Sequence, residues 1–138
     1  MNERALTFTD YDVERIEDLL EGARNLPARK REGLEALAEE LGRGRIVASR
    51  QVPSDIVTLN SRVRLRDLDG DRVMEVTLVL PGSADLAQGR LSVTSPIGMA
   101  ILGFAQGDIV EWAVPAGVKK ICIEEILYQP EAAGHFHL

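Results

Sequence analysis

The stretch Arg62-Val63-Arg64-Leu65-Arg66-Asp67-Leu68-Asp69-Gly70-Asp71-Arg72-Val73-Met74-Glu75-Val76-Thr77-Leu78-Val79-Leu80 decides the fold class. Arg62 to Arg66 alternate arginine with an aliphatic residue. Successive side chains of a strand point to opposite sides, so this is a strand with one wet face and one dry face. Asp69-Gly70 is a hairpin turn signal. Beyond it, Met74, Val76, Leu78 and Leu80 fall on one face of a second strand, Val73 to Leu80, which Pro81 and Gly82 end.

Working outward, the same reasoning predicts short strands at Val57 to Leu59 and Leu91 to Thr94. Longer ones follow at Asp108 to Val114 and Lys119 to Tyr128, around a Pro115–Gly117 turn. Between them, Ser95 reads as a helix cap and Pro96 as the first helical residue, where its missing N–H costs nothing. Ile97 to Leu102 supplies about two turns, and Gly103 stops them. The expected unit is α+β: an antiparallel sheet of about five strands carrying one short helix.

Upstream, the period changes. Thr9 or Asp10 can cap a helix on which Val13, Ile16, Leu20 and Ala23 make one apolar stripe. Gly22, Asn25 and Pro27 break it. A second stripe, Leu34, Leu37, Ala38 and Leu41, ends at Gly42 and Gly44. So short a turn makes the helices an antiparallel hairpin, or short coiled coil, with its tip at Arg24, Asn25, Leu26 and Pro27. Each arm of about 15 residues is roughly 22 Å long. The hairpin either projects or folds back, and a hinge near Gly42 and Gly44 would let it swing. The predicted organisation is a hairpin over 1–45, a linker over 46–54 and the β-rich domain over 55–138.

The formal charge is -6, and residues 1–45 and 46–138 carry eight basic and eleven acidic residues each. Neither part has the phosphate-neutralising excess that an autonomous duplex-DNA binder needs, so any nucleic-acid contact is at most indirect. No apolar run approaches the roughly 18 residues of a membrane span, and no signal peptide precedes the first charges, so the expected location is the cytoplasm without membrane contact. Cys122, the single cysteine, alternates with Ile121 and Ile123 and reads as a buried, inert thiol. Trp112 alternates with Val110 and Val114 and reads as core or half-core.

Ser95-Pro96-Ile97-Gly98, followed by Ala100-Ile101-Leu102-Gly103 and Gly107-Asp108, resembles the signature of the carboxy-terminal domain of the Gre transcript-cleavage factors. That domain has a fold similar to the FK506-binding (FKBP-like) prolyl isomerases. Asp55-Ile56-Val57-Thr58-Leu59-Asn60-Ser61-Arg62-Val63 and the tail Tyr128-Gln129-Pro130-Glu131-Ala132-Ala133-Gly134 narrow the resemblance to the nucleoside diphosphate kinase regulator (Rnk) family. The resemblance covers most of residues 52–138; the hairpin agrees in type and length. It implies a partner, RNA polymerase, whose largest-subunit coiled coil at the rim of the secondary channel receives the β-rich domain. It also implies docking roles for Ser95, Pro96, Ile97 and Gly98. Each of the four equally has a helix-capping explanation.

Cleavage factors of this class place two carboxylates at the arm tip, where they help hold a second metal ion for hydrolysis. Asp18 and Glu21, at i and i+3, share a helix face. They precede the turn rather than occupy it, and Arg24, Arg29, Lys30 and Arg31 surround the turn, where positive charge repels a metal. A solvated helix face is the plainer reading. The arm also looks shorter than those of the cleavage factors. The resemblance therefore implies a regulator that occupies the channel without efficient cleavage. Two alternatives are a cleavage-stimulating elongation factor using Asp18 and Glu21, and a prolyl isomerase. The isomerase is disfavoured by three Phe, one Trp and two Tyr in the whole chain, too few for an aromatic pocket. The Arg62, Arg64 and Arg66 stripe reads either as contact with an acidic partner or as a charged solvent face. His135 and His137 lack an evident third metal ligand. No catalytic residue, metal or cofactor is expected, and the chain reads as a non-enzyme.

Overall fold

The computed structural model of the chain describes residues 6–22, 28–114, 117–136 and 138, with backbone alone for 28–34 and 112–114. Helices α1 (Asp10–Gly22) and α2 (Ala28–Arg43) form the hairpin. Thr9 is the cap: its Oγ1 accepts the Asp12 N–H at 3.0 Å, satisfying a donor that the first helical turn leaves free. Of the expected stripes, Val13, Ile16, Leu37 and Leu41 are buried, whereas Leu20 and Ala38 are half-buried. Ala23, Leu34 and the tip residues Arg24 to Pro27 lie outside the described side chains. No side chain from Glu17 to Gly22 is buried. The arm is therefore packed at its base and projects beyond it.

The base is tied by an element that periodicity did not announce. Strand β1 (Thr7–Thr9) pairs in parallel with β2 (Arg45–Val47), Phe8 opposite Ile46, so both ends of the arm are stitched together. β2 includes residues expected to be linker.

The main sheet contains β3 (Arg62–Asp67), β4 (Arg72–Val79), β5 (Arg90–Ser92), β6 (Ile109–Val114) and β7 (Gly117–Tyr128), in the order β5-β4-β3-β7-β6. β3 pairs antiparallel with β4 and β7, and β7 with β6. The expectation of a wholly antiparallel sheet fails at one edge, where β5 lies parallel to β4. Residues 80–89 bring the chain back beside Thr77, near the end of β4, through two single-turn helical segments, Pro81–Ser83 and Leu86–Gln88, and a parallel neighbour needs such a return.

Alternation along β3, β4 and β7 puts Val63, Leu65, Val76, Leu78, Ile121 and Ile123 on one buried face. Ile101 of α3 (Pro96–Ile101) and Leu102 join them there. Each such aliphatic side chain contributes about 1.5–3 kcal/mol by leaving water.

Two local expectations are corrected. Val57 to Leu59 is not a sheet strand but a buried segment that runs into a turn at Leu59 and is bonded to the loop after α3: Val57 N–H reaches Phe104 O at 2.9 Å, and Gly103 N–H reaches Val57 O at 2.9 Å. The β3–β4 turn is built by Asp67, whose carboxylate accepts the N–H groups of Asp69 at 2.9 Å and Gly70 at 3.3 Å. Its left-handed residue is Asp71 (φ 52°), not Gly70. The Asp69 N–H, above all, holds the Asp67 carboxyl below its ordinary range.

Candidate functional site

An apolar groove of 920 Å³ opens between the hairpin and the sheet. Leu37 and Glu40 of α2 line one side, Pro96, Met99 and Phe104 the other, and Ile109 of the edge strand β6 the third. Ile109 is 55% exposed, although its strand neighbour Val110 is buried. Phe104 is the one aromatic among the described residues of the lining. Glu111 faces Lys120 across the β6–β7 pair at the rim.

Of the four residues expected to dock a partner, only Pro96 lines this groove. Ser95 caps α3: its Oγ accepts the Gly98 N–H at 3.1 Å and donates to Ser92 O at 2.7 Å. Gly98 is buried, and a Cβ there would collide with the Ser92 carbonyl oxygen. Ile97 is half-buried against the core. The Ser-Pro-Ile-Gly string thus sets where α3 starts and how deeply it lies, which fixes Pro96 and Met99 at the groove.

A second constellation, absent from the sequence reading, joins arm to domain. Asp12, 1% exposed, divides its carboxylate between the β-rich domain and its own helix. Oδ2 accepts the Leu59 N–H at 2.9 Å, and Oδ1 accepts from Arg15 at 2.6 Å. Arg15 also stacks over Tyr11, 3.9 Å from the ring centroid. On the far side of the same turn, Thr58 Oγ1 donates to Glu131 at 2.7 Å and accepts from Ser61 Oγ at 2.8 Å. Burial pushes the Asp12 carboxyl up to about 6, against the pull of the Leu59 N–H and Arg15 and helped by the nearby Glu131. Asn60, in the left-handed conformation at φ 68°, closes the turn onto β4 with its N–H on Leu78 O. Beside it, Gln129 donates to Pro53 O and Ile56 O, each at 2.8 Å, and so ties the C-terminal segment down.

The arginine stripe is neutralised within the sheet. Arg62 pairs with Glu75 at 2.6 Å, Arg64 with Glu124 at 3.3 Å and with Glu125, and Arg66 with Asp71 at 2.8 Å and with Glu124. The Arg66 guanidinium, first of all, holds Glu124 below its usual range. Cys122 lies on this outer face beside Arg66 in register and is half-buried, not enclosed as expected, because Ile121 and Ile123 take the inward positions.

Asp18 and Glu21 are exposed on the outer half of α1. Among the described residues, no three His, Cys, Asp or Glu side chains are grouped to hold a metal ion. His135 Nδ1 lies 2.6 Å from Tyr128 Oη, so it is bonded back to β7. His137 and the Trp112 side chain lie outside the described residues.

The groove, the short helix beneath it and the projecting hairpin together define the Gre-type architecture. Residues 52–128 match the family described as "Transcription elongation factor, GreA/GreB, C-term", and residues 4–47 match "Rnk N-terminus". The solved structure of a "Prokaryotic transcription elongation factor GreA/GreB from Nitrosomonas europaea" superposes with a TM-score of 0.72 at 35% identity, covering 91% of this chain and 100% of that one. The "Regulator of nucleoside diphosphate kinase" of Escherichia coli (strain K12) is 38% identical over 141 residues, 100% of both chains. The "Transcription elongation factor GreA" of Clostridium botulinum (strain Eklund 17B / Type B) is 37% identical over 90 residues, 65% of this chain and 56% of that longer protein. The chain belongs to the regulator of nucleoside diphosphate kinase family within the Gre-factor superfamily.

Proposed function

We propose that the protein is a non-enzymatic regulator that binds RNA polymerase, docks its β-rich domain at the rim of the secondary channel, and places its short arm in the entrance without stimulating cleavage. The observation that carries this reading is the pairing of a Gre-type domain, whose groove is apolar at its centre and charged at its rim, with an arm whose two helices have 13 and 16 residues. A 16-residue helix spans about 24 Å. Ser95, Ile97 and Gly98 support the docking surface by fixing α3, and Pro96 belongs to the surface itself. The arginine stripe is already paired with carboxylates of its own sheet, which favours the polymerase protein over nucleic acid as the partner of this face, and the cytoplasm as the place of action. An effect on nucleoside diphosphate kinase follows indirectly, through transcription.

Asp18 and Glu21 sit exposed on the last turns of α1, on the shaft of a short arm and ahead of its turn. That favours occupancy over cleavage. The isomerase alternative finds little support in a groove with one described aromatic, since function belongs to sites rather than folds. The direct test adds the protein to a stalled elongation complex. The expected result is no stimulated RNA cleavage, and reduced cleavage when a long-armed factor is also present. Cleavage that disappears in the Asp18→Ala, Glu21→Ala double variant would overturn the reading and assign the acidic pair a catalytic role.

A further inference from the structure

The arm is not hung on a loose hinge. Gly44, where the sequence allows a swivel, is packed: a Cβ there would run into Phe8 Cε2 and Cδ2. On the other side of the same ring, a Cβ on Gly103 (φ 85°) would come within 2.6 Å of Phe8 Cε1. The Phe8 ring, 2% exposed, is therefore wedged between the glycine that ends the arm and the glycine that ends α3. The backbone follows the same plan. Thr7 N–H bonds Gly103 O at 3.1 Å, and Arg45 N–H bonds Leu6 O at 2.7 Å. Asp12 adds a second, separate fastening through the Leu59 N–H. Gly42, by contrast, has open space around it.

We infer that Phe8, seated between Gly44 and Gly103, together with Asp12 on the Leu59 N–H, forms a fixed-aim joint that sets the direction of the hairpin relative to the groove. Two anchor points on one helix and its preceding strand remove the rotation that a single contact would leave. The joint also shares parts with the groove: Leu6, whose carbonyl accepts the Arg45 N–H, and Phe104, which follows Gly103 in the chain, both line it. A partner filling the groove thus presses on the loop that aims the arm. Phe8, Gly44 and Asp12 are positioning residues in this scheme. Its consequence for polymerase rests on the function proposed above; the aim itself does not.

The test measures the arm-to-domain distance in the full-length chain by double electron–electron resonance. Spin labels go at Glu17→Cys and Leu86→Cys, both exposed, in a Cys122→Ser background. One narrow distance distribution is expected for the parent. Gly44→Ala and Asp12→Ala, which removes the acceptor of the Leu59 N–H, should each shift or at least double its width, and together do so further, with circular dichroism unchanged. Gly42→Ala should leave the distribution as it was. Ile121→Val, which weakens the sheet core away from the joint, controls for lost stability and should also leave it unchanged. A Gly44→Ala, Asp12→Ala double variant with the parent's distribution would overturn the joint, as would broadening in Ile121→Val of the same size. Broadened variants of a parent that fails to bind core polymerase would uphold the joint and sink the polymerase reading instead.

Discussion

Asp12 carries a charge in the least favourable place in the described chain, and pH exposes the cost. Its carboxyl titrates at about 6 in the folded protein against 3.8 for the free side chain. The folded state therefore holds the proton more tightly than the unfolded state between those values, and stability falls as pH rises through that window. The shift corresponds to ~3 kcal/mol. The Asp12 contribution is fully present below pH 3.8 and lost above about 6. Asp12→Asn keeps an oxygen for the Leu59 N–H but cannot titrate. Urea unfolding from pH 4 to pH 7.5 should show the parent losing stability relative to Asp12→Asn; parallel profiles would contradict this account. Asp67 and Glu124, held low by hydrogen bonds, act in the opposite sense and further down the scale, where acidification removes their help. Gly98 gives a second residue-scale outcome. Gly98→Ala forces a methyl onto the Ser92 carbonyl and should cost about 1–3 kcal/mol in urea unfolding. Gly82→Ala, in open space, should be close to neutral. Neither Asp12 nor Phe8 was legible beforehand. Asp12 stands three residues after the Thr9 cap, where an acid ordinarily reaches back to its own helix start; its partner, 47 residues away, lies in a segment that reads as strand.

Elements were read more reliably than their ends. The Arg62–Arg66 alternation and the aliphatic period of β4 identified the central hairpin because one face is wet and the other dry, a pattern that fixes register. Ser95 and Pro96 announced α3 because capping chemistry is local. The parallel strands β1, β2 and β5 were missed or misdirected because each has three residues, too few for a period, and each is placed by distant backbone partners. The same limit hid the groove, which α2 assembles with α3 and β6 from the distant C-terminal part of the sequence. At this scale, Met99→Asp should weaken polymerase binding at least tenfold, about 1.4 kcal/mol, as read by fluorescence anisotropy, while the fold is retained. Arg64→Ala, whose guanidinium is already engaged by Glu124 and Glu125, should leave binding unchanged. A reversed order of effects would move the docking surface from the groove to the outer sheet face.

The whole molecule combines a domain of the elongation-factor type with a two-helix arm whose direction the proposed joint fixes. Its class was recoverable from the Ser-Pro-Ile-Gly and Asp55–Val63 strings because those residues build turns and caps that tolerate few substitutes: Gly98 has no room for a Cβ, and Thr58 and Ser61 lock the turn beside Asp12. The acidic pair was legible as spacing alone, and its placement on an exposed outer helix face comes from the structure. The measurement that bears most directly on the central claim is binding to purified core RNA polymerase at two salt concentrations, with a long-armed cleavage factor as competitor. Saturable binding that the competitor displaces is the expected result. Absence of binding at micromolar concentration, or binding that the competitor leaves untouched, would contradict it.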